Sequence, residues 1–235
     1  MKKIVNNDET YYGVQFIQGQ IKEFDKQEEV NINLNTNTVE NSVVNNGKTT
    51  ISDGKIEVSA AGIENHGEAT INNVEMKAGS PADYSNISYA NSYTTYNNVN
   101  IDSAGGGIGA VDGANVVFNS GSMAVNSAST SGRYLFYAVG NGTVITINSG
   151  EFSFSKTLNQ KRAYIYAGEG ATVYVTGGNF GPASSRSGYT AGILGDGTVI
   201  ITGGTFGFDP SAWVAEGYTA TELNGTWTVS SVANS

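Results

Sequence analysis

Residues able to move a proton or hold a metal are scarce in this chain of 235 residues, which has no cysteine and a single histidine, His66. Disulfides and thiolate metal sites are thereby removed. The most regular series containing titratable residues stands before glycine, in His66-Gly67, Asp112-Gly113, Asn141-Gly142, Glu169-Gly170 and Asp196-Gly197, where only Asn141 cannot ionise. Two carboxylates held about 5 Å apart on neighbouring strands could share acid–base work on a sugar, and Glu169 with Asp196 is the pair whose spacing allows it. An acidic residue before glycine is, however, an ordinary turn former, and His66 lies far from that pair. The series therefore reads as turns, with no catalytic residue, metal ligand or cofactor assigned.

A second constellation suits binding rather than catalysis. Three segments, 127–133, 156–162 and 183–188, fall at corresponding places in the chain, and beside them stand Arg133, Tyr134, Tyr137, Lys161, Arg162, Tyr164, Tyr166, Arg186 and Tyr189. Four of these are basic, half of the eight basic residues beyond residue 30. Tyrosine offers a rigid amphipathic ring and arginine a planar cation, a combination fitted to an acidic or hydroxyl-rich glycan or to a second subunit. Side chains alternate along a strand, so about half of the aromatics must point inward.

These residues are carried by a repeat. Thr143-Val144-Ile145-Thr146-Ile147-Asn148-Ser149-Gly150-Glu151-Phe152 recurs as 171–180 and 197–206, and weaker copies end at Met123, Ile101, Met76, Ile56 and Val39, eight in all. The fifth position reads Leu34, Ile51, Ile71, Tyr96, Phe118, Ile147, Val175, Ile201, and the tenth Val39, Ile56, Met76, Ile101, Met123, Phe152, Phe180, Phe206. Both columns are apolar throughout. The eighth position is glycine in Gly54, Gly121, Gly150, Gly178 and Gly204, as a corner with positive φ requires. Short apolar runs before the turn dipeptides supply a third strand for each copy.

Copies are 17 to 29 residues apart, and a coil of three short strands needs roughly 20, with the surplus in one loop. Alternation of period two, without helical periodicity, predicts an all-β fold, a single-stranded right-handed parallel β-helix of about eight rungs, its hand taken from the crossover rule. Asparagine ladders are expected at corners such as Asn45-Asn46 and Asn72-Asn73. The segment between Ala78 and Tyr96, with Tyr84, Tyr89 and Tyr93, reads as an excursion from the coil.

The ends depart from the repeat. Residues 1–29 hold ten charged residues and form an arm or cap, with 20–29 a short amphipathic segment. The helix occupies 30–206. Residues 207–235 form a cap in which Asp209-Pro210-Ser211 opens a short helix, a strand around Trp227 covers the last rung, and Trp213, Tyr218 and Trp227 pack. A net charge of −9 excludes nucleic acid and anionic membranes as partners, since phosphate binding needs clustered Lys and Arg. After Lys2 and Lys3 come Asn6, Asn7 and Asp8, where a secretory leader needs about 7–15 apolar residues. The expectation is synthesis in the cytoplasm, with exit by lysis or a dedicated route.

The Thr202–Phe206 corner, followed by Asp209-Pro210-Ser211, Val214-Ala215-Glu216-Gly217-Tyr218 and Asn224-Gly225-Thr226-Trp227-Thr228-Val229, resembles the terminal coil of β-helical surface and virion proteins of gut bacteria and their phages. The coil as a whole resembles the pectate-lyase-like group, which includes phage tailspikes. The resemblance covers roughly residues 30–229 and implies a virion fibre of a kind that is commonly trimeric. With no leader, no catalytic cluster and an acidic surface, the chain is expected to be a non-enzymatic virion fibre or decoration protein, with residues 1–29, which the resemblance leaves unmatched, as its arm to the particle and the helix presented to a host-surface glycan. The alternatives are a bacterial surface adhesin and a polysaccharide lyase or hydrolase. An enzyme on this scaffold would gather carboxylates with Lys or Arg on one outward strand face, and no single repeat strand carries such a cluster.

Overall fold

The computed structural model describes residues 3–6, 9–12, 15–17, 20–22, 29–34, 38–40, 42–79, 84–125, 133–154, 162–182 and 192–232. Strands make up 67% of the structure, so the period-two alternation seen in the sequence governs the packing. The fold is a parallel β-solenoid whose strands stack into three faces. Face one stacks Gln20–Lys22, Ser42–Asn45, Ile63–Asn65, Tyr84–Ser88, Gly106–Val111, Arg133–Val139, Arg162–Ala167 and Ile193–Leu194. Face two runs from Glu29–Asn33 through the first halves of Lys48–Glu57 and Glu68–Ala78 to Tyr93–Asn97, Asn115–Phe118, Val144–Ile147, Thr172–Val175 and Thr198–Ile201. Face three runs from Thr38–Val39 through the second halves of the same two strands to Val99–Ser103, Gly121–Val125, Glu151–Phe154, Asn179–Pro182 and Gly204–Gly207.

Full turns number about five, not the eight expected. The circuits beginning at Ser42, Tyr84, Gly106, Arg133 and Arg162 have strands of at least four residues on every face; the others thin to Gln20–Lys22 with Thr38–Val39, to Ile63–Asn65 and to Ile193–Leu194. The first and last of these thinned circuits lie at the ends, where a strand lacks a full neighbour on one side.

The two apolar columns line the interior. Ile51, Ile71, Tyr96, Phe118, Ile147, Val175 and Ile201 stack on face two, and Ile56, Met76, Ile101, Met123, Phe152, Phe180 and Phe206 on face three, all buried. The first copy is corrected: Ile32, not Leu34, pairs with Ile51. A shift of two residues keeps the same face inward, and Leu34 is buried as well.

Corners differ from the expectation too. Positive φ falls on the eighth-position glycines in the later copies, Gly121, Gly150, Gly178 and Gly204 (φ 125°, 139°, 103° and 110°), but on Asp53, Asn73 and Asn98 (φ 58°, 53° and 52°) in the earlier ones. Gly54 therefore has no special backbone role. Asn and Asp tolerate the left-handed region because their short side chains bond locally. Beside these corners the expected ladder forms, Asn72 to Asn97 at 2.8 Å, Asn97 to Asn119 at 2.7 Å, Asn119 to Asn148 at 2.7 Å and Asn148 to Thr176 at 2.8 Å.

Two segments are reassigned. Tyr84–Ser88 is a face-one strand rather than an excursion; its inward Ser85, Asn86 and Ser88 are buried polar residues, which disguise the strand in the sequence. Within the segment 20–29, Gln20–Lys22 is a strand that pairs with Gln15–Ile17 and Ser42–Asn45. Lys3–Asn6 and Glu9–Tyr12 form a separate antiparallel pair.

At the other end a 3-10 turn, Ser211–Trp213, follows Pro210, and Ala215 N–H donates to Ile201 O at 2.9 Å, covering the edge of face two. Thr226–Ser231 runs antiparallel to Gly204–Gly207, with Trp227 opposite Phe206. Trp213 and Trp227 pack against the core as expected. Tyr218 does not; it is exposed.

Candidate functional site

Face one carries an aromatic ladder on its outside. Its outward column reads Ile87, Gly109, Tyr137, Tyr166 and Leu194 on successive strands. Tyr134 joins it from the same strand as Tyr137, at 5.9 Å between ring centroids, and lies 4.6 Å from Tyr166. Tyr137 and Tyr166 are 5.3 Å apart. Tyr84 leans across the intervening coil to reach Tyr137 at 5.0 Å. That reach is possible because Gly106 has no side chain: a Cβ there would come within 2.3 Å of the Tyr84 ring.

All four rings are half-buried, and the planes of the contacting pairs lie within 7° to 28° of parallel. Neighbouring rings about one coil apart thus cover much of each other's faces, leaving edges and hydroxyl ends as the more accessible parts. Burial, and after it the neighbouring Tyr166, raises the Tyr137 hydroxyl above its ordinary value. At neutral pH it is a hydrogen-bond donor.

The constellation read from the sequence is only partly assembled. Tyr134, Tyr137 and Tyr166 come together. Tyr164 is instead a core residue, 2% exposed, stacked on Phe208 and donating its hydroxyl to Pro182 O at 3.2 Å. Arg162 is buried as well, with its guanidinium 5.7 Å from the Phe154 ring centroid. Neither offers a contact surface, because Arg162, Ala163, Tyr164 and Ile165 are all buried in succession, inward or under cover, instead of alternating with exposed residues. Arg133 pairs through its backbone with Arg162. Lys161, Arg186, Tyr189 and the greater part of the three long segments lie outside the described residues. Tyr84 is the member the sequence reading missed; the clue was the glycines at 106, 107 and 109, which vacate the next strand.

Face three holds a charged cluster that also escaped the reading by single strands. Lys55 and Glu57, Glu75 and Lys77, then Asn100 and Asp102 stack on consecutive coils and line an open groove of about 420 Å³. The signs alternate both along and across the strands, as cross-strand pairs favour. Lys55 Nζ lies 2.6 Å from Glu75 Oε2, and this hydrogen bond raises the lysine above its ordinary value. A lysine held protonated is the opposite of what a general base needs. His66 stacks on Tyr89 at 4.4 Å, and Glu169 and Asp196 are exposed turn residues. Among the described residues no group of three or more His, Asp or Glu side chains is arranged to hold a metal ion.

No protein-family model, curated protein or solved structure matches this chain.

Proposed function

We propose that this protein is a non-enzymatic attachment module, a β-solenoid whose face one meets a host-surface glycan. The observation that carries the reading is the ladder of Tyr84, Tyr134, Tyr137 and Tyr166, half-buried and without a charged residue in the outward column from Ile87 to Leu194. A sugar chain lying along the axis would meet phenol hydroxyls and ring edges once per coil, about 5 Å, and would be held by hydrogen bonds and CH contacts more than by stacking on open ring faces. Placement on a virion is suggested by the resemblance of the C-terminal motif and the pectate-lyase-like coil, and residues 1–29, outside that resemblance, would be the attachment. A bacterial surface adhesin would use the same face.

The experiment compares the full chain with a Tyr134→Ala/Tyr166→Ala variant on a glycan array and on intact bacterial cells. Loss of at least tenfold in binding at unchanged mass in solution is expected. Undiminished binding overturns the reading, and a fall in mass assigns the face to a subunit contact. The charged groove on face three favours one rival, a polysaccharide lyase or hydrolase. Unsaturated or reducing ends that appear with the native chain and vanish in Glu75→Gln or Asp102→Asn would establish that rival.

A further inference from the structure

The C-terminal hairpin closes the end of face three and at the same time makes a new edge. Tyr218–Leu223 pairs with Thr226–Ser231 and ends the sheet, with no strand among the described residues on its other side. Its tight turn has Asn224 and Gly225 at φ 52° and 80°, the two-residue hairpin geometry that makes Leu223 and Thr226 a hydrogen-bonded pair. Alternation then directs the N–H and C=O groups of residues 217, 219, 221 and 223 to Thr226–Ser231 and its continuation, and the bond from Val232 N–H to Gly217 O at 2.8 Å agrees with that phase. Tyr218, Ala220 and Glu222 consequently aim their backbone groups at the open side. Natural edges are blunted by lysine, proline or a bulge. This one, Tyr-Thr-Ala-Thr-Glu-Leu, has none of them. Tyr218, Leu223 and Val232, three of the five exposed large hydrophobic residues among those described, lie on this hairpin, Tyr218 and Val232 at one end and Leu223 at the other.

We infer that this edge pairs with the same edge of a second copy, antiparallel about a two-fold axis through Ala220. Residues facing each other across such a pair must lie on the same side of the sheet, which restricts the register. Centred on Ala220, Tyr218 of one copy faces Glu222 of the other, Thr219 faces Thr221, and Leu223 lies over Gly217, where a side chain meets nothing within 4 Å. The one charged residue of the strand, Glu222, meets a tyrosine, whereas centring on Glu222 would oppose two carboxylates. Ala220 exchanges both of its backbone bonds with its twin, and each Glu222 N–H reaches a Tyr218 carbonyl. The Tyr218 N–H is already held by Ala215 O at 3.1 Å. A single added strand is smaller than the roughly 800 Å² per partner of a stable interface, so the dimer is a weak one.

Sedimentation of the full chain over a wide concentration range tests this. A reversible monomer–dimer equilibrium is expected, weakened at least tenfold by Ala220→Pro, which deletes an outward N–H while sparing the hairpin's own bonds, and weakened also by Leu223→Asn. Because the chain has no cysteine, single-cysteine variants report the register: facing Cα atoms about 5.5 Å apart should give a disulfide-linked dimer from Ala220→Cys under mild oxidation, much faster than from Glu222→Cys. A chain that stays monomeric at every concentration, an association indifferent to both hairpin variants, or equal cross-linking at the two positions overturns the inference. Unchanged circular dichroism and thermal midpoint establish that each variant is folded.

Discussion

The coils from Ser42 to Ser103 and those from Gly106 to Phe206 share one backbone path and fill it with different chemistry. In the earlier coils the column at the end of face one is Asn45, Asn65 and Ser88; in the later ones it is Ala110, Ala138 and Ala167. The polar set is fully buried and fully occupied: Asn45 donates to Asn65 at 2.7 Å, Asn65 to Thr94 at 2.7 Å, and Thr49 to Asn45 at 2.9 Å. The later interior is aromatic, with Phe152 and Phe180 at 4.7 Å and Phe180 and Phe206 at 4.9 Å. Corners change along with the core, from Asn or Asp to Gly. A solenoid asks only that each rung satisfy its neighbour, so a hydrogen-bonded ladder and a packed stack are interchangeable provided that the column does not mix them without partners.

The sharpest way to break the comparison is to put polarity without partners into the late half. Ile147→Asp forces an unpaired carboxylate into a fully buried site and should cost about 4 kcal/mol or more, read by denaturant unfolding. An unchanged midpoint would overturn the inward register. The converse change, Asn65→Leu, takes one partner each from Asn45 and Thr94, removes the acceptor of the Gly67 N–H, and takes one donor each from the carbonyls of Gly67 and Tyr93; about 2–4 kcal/mol is expected. Replacing Asn45 and Asn65 by alanine and Thr94 by valine together, in imitation of the later coils, should cost less than the sum of the three single changes.

Corner chemistry is tested next. Gly150→Ala adds a Cβ at φ 139° that would lie 2.8 Å from the Phe152 ring and 2.9 Å from Gly121 O, with an expected loss of about 1–3 kcal/mol. Gly54→Ala, at the same repeat position but without positive φ, should stay within about 0.5 kcal/mol. Similar losses at both sites would mean that the two corner types are not distinct.

The smallest effect at neutral pH concerns the buried tyrosines. Burial raises the Tyr96 hydroxyl and pushes that of Tyr164 up to about 12. A folded-state value above the unfolded one, near 10, means that the stabilisation is complete below about pH 10 and drains away as pH climbs towards 12. Tyr164→Phe should flatten the alkaline limb of the stability profile while losing only the bond to Pro182. A profile identical to the native one would place the titration elsewhere.

Most of the architecture was legible because stacking repeats a demand at a fixed place: the fifth and tenth columns must be apolar, and they are, from Ile51 to Ile201 and from Ile56 to Phe206. The turn dipeptides and the third strand followed from the same regularity. Reading by hydrophobicity failed where the inward residues are polar, as in Tyr84–Ser88, and where two extra residues in the first copy hid Ile32 behind Leu34. The site was harder. Residue types announced tyrosines on face one, but the burial of every residue from Arg162 to Ile165 removed Tyr164 and Arg162 from it, and a ring leaning over Gly106 added Tyr84 from two coils away. The checkerboard of Lys55, Glu57, Glu75, Lys77 and Asp102 likewise exists only across coils. Sequence alone determined that coils would form and what would line them, since those requirements act within one repeat. Which side chains meet was decided by the tertiary structure, because bulges, thinned strands and missing side chains set neighbours between repeats, where separation along the chain carries no information.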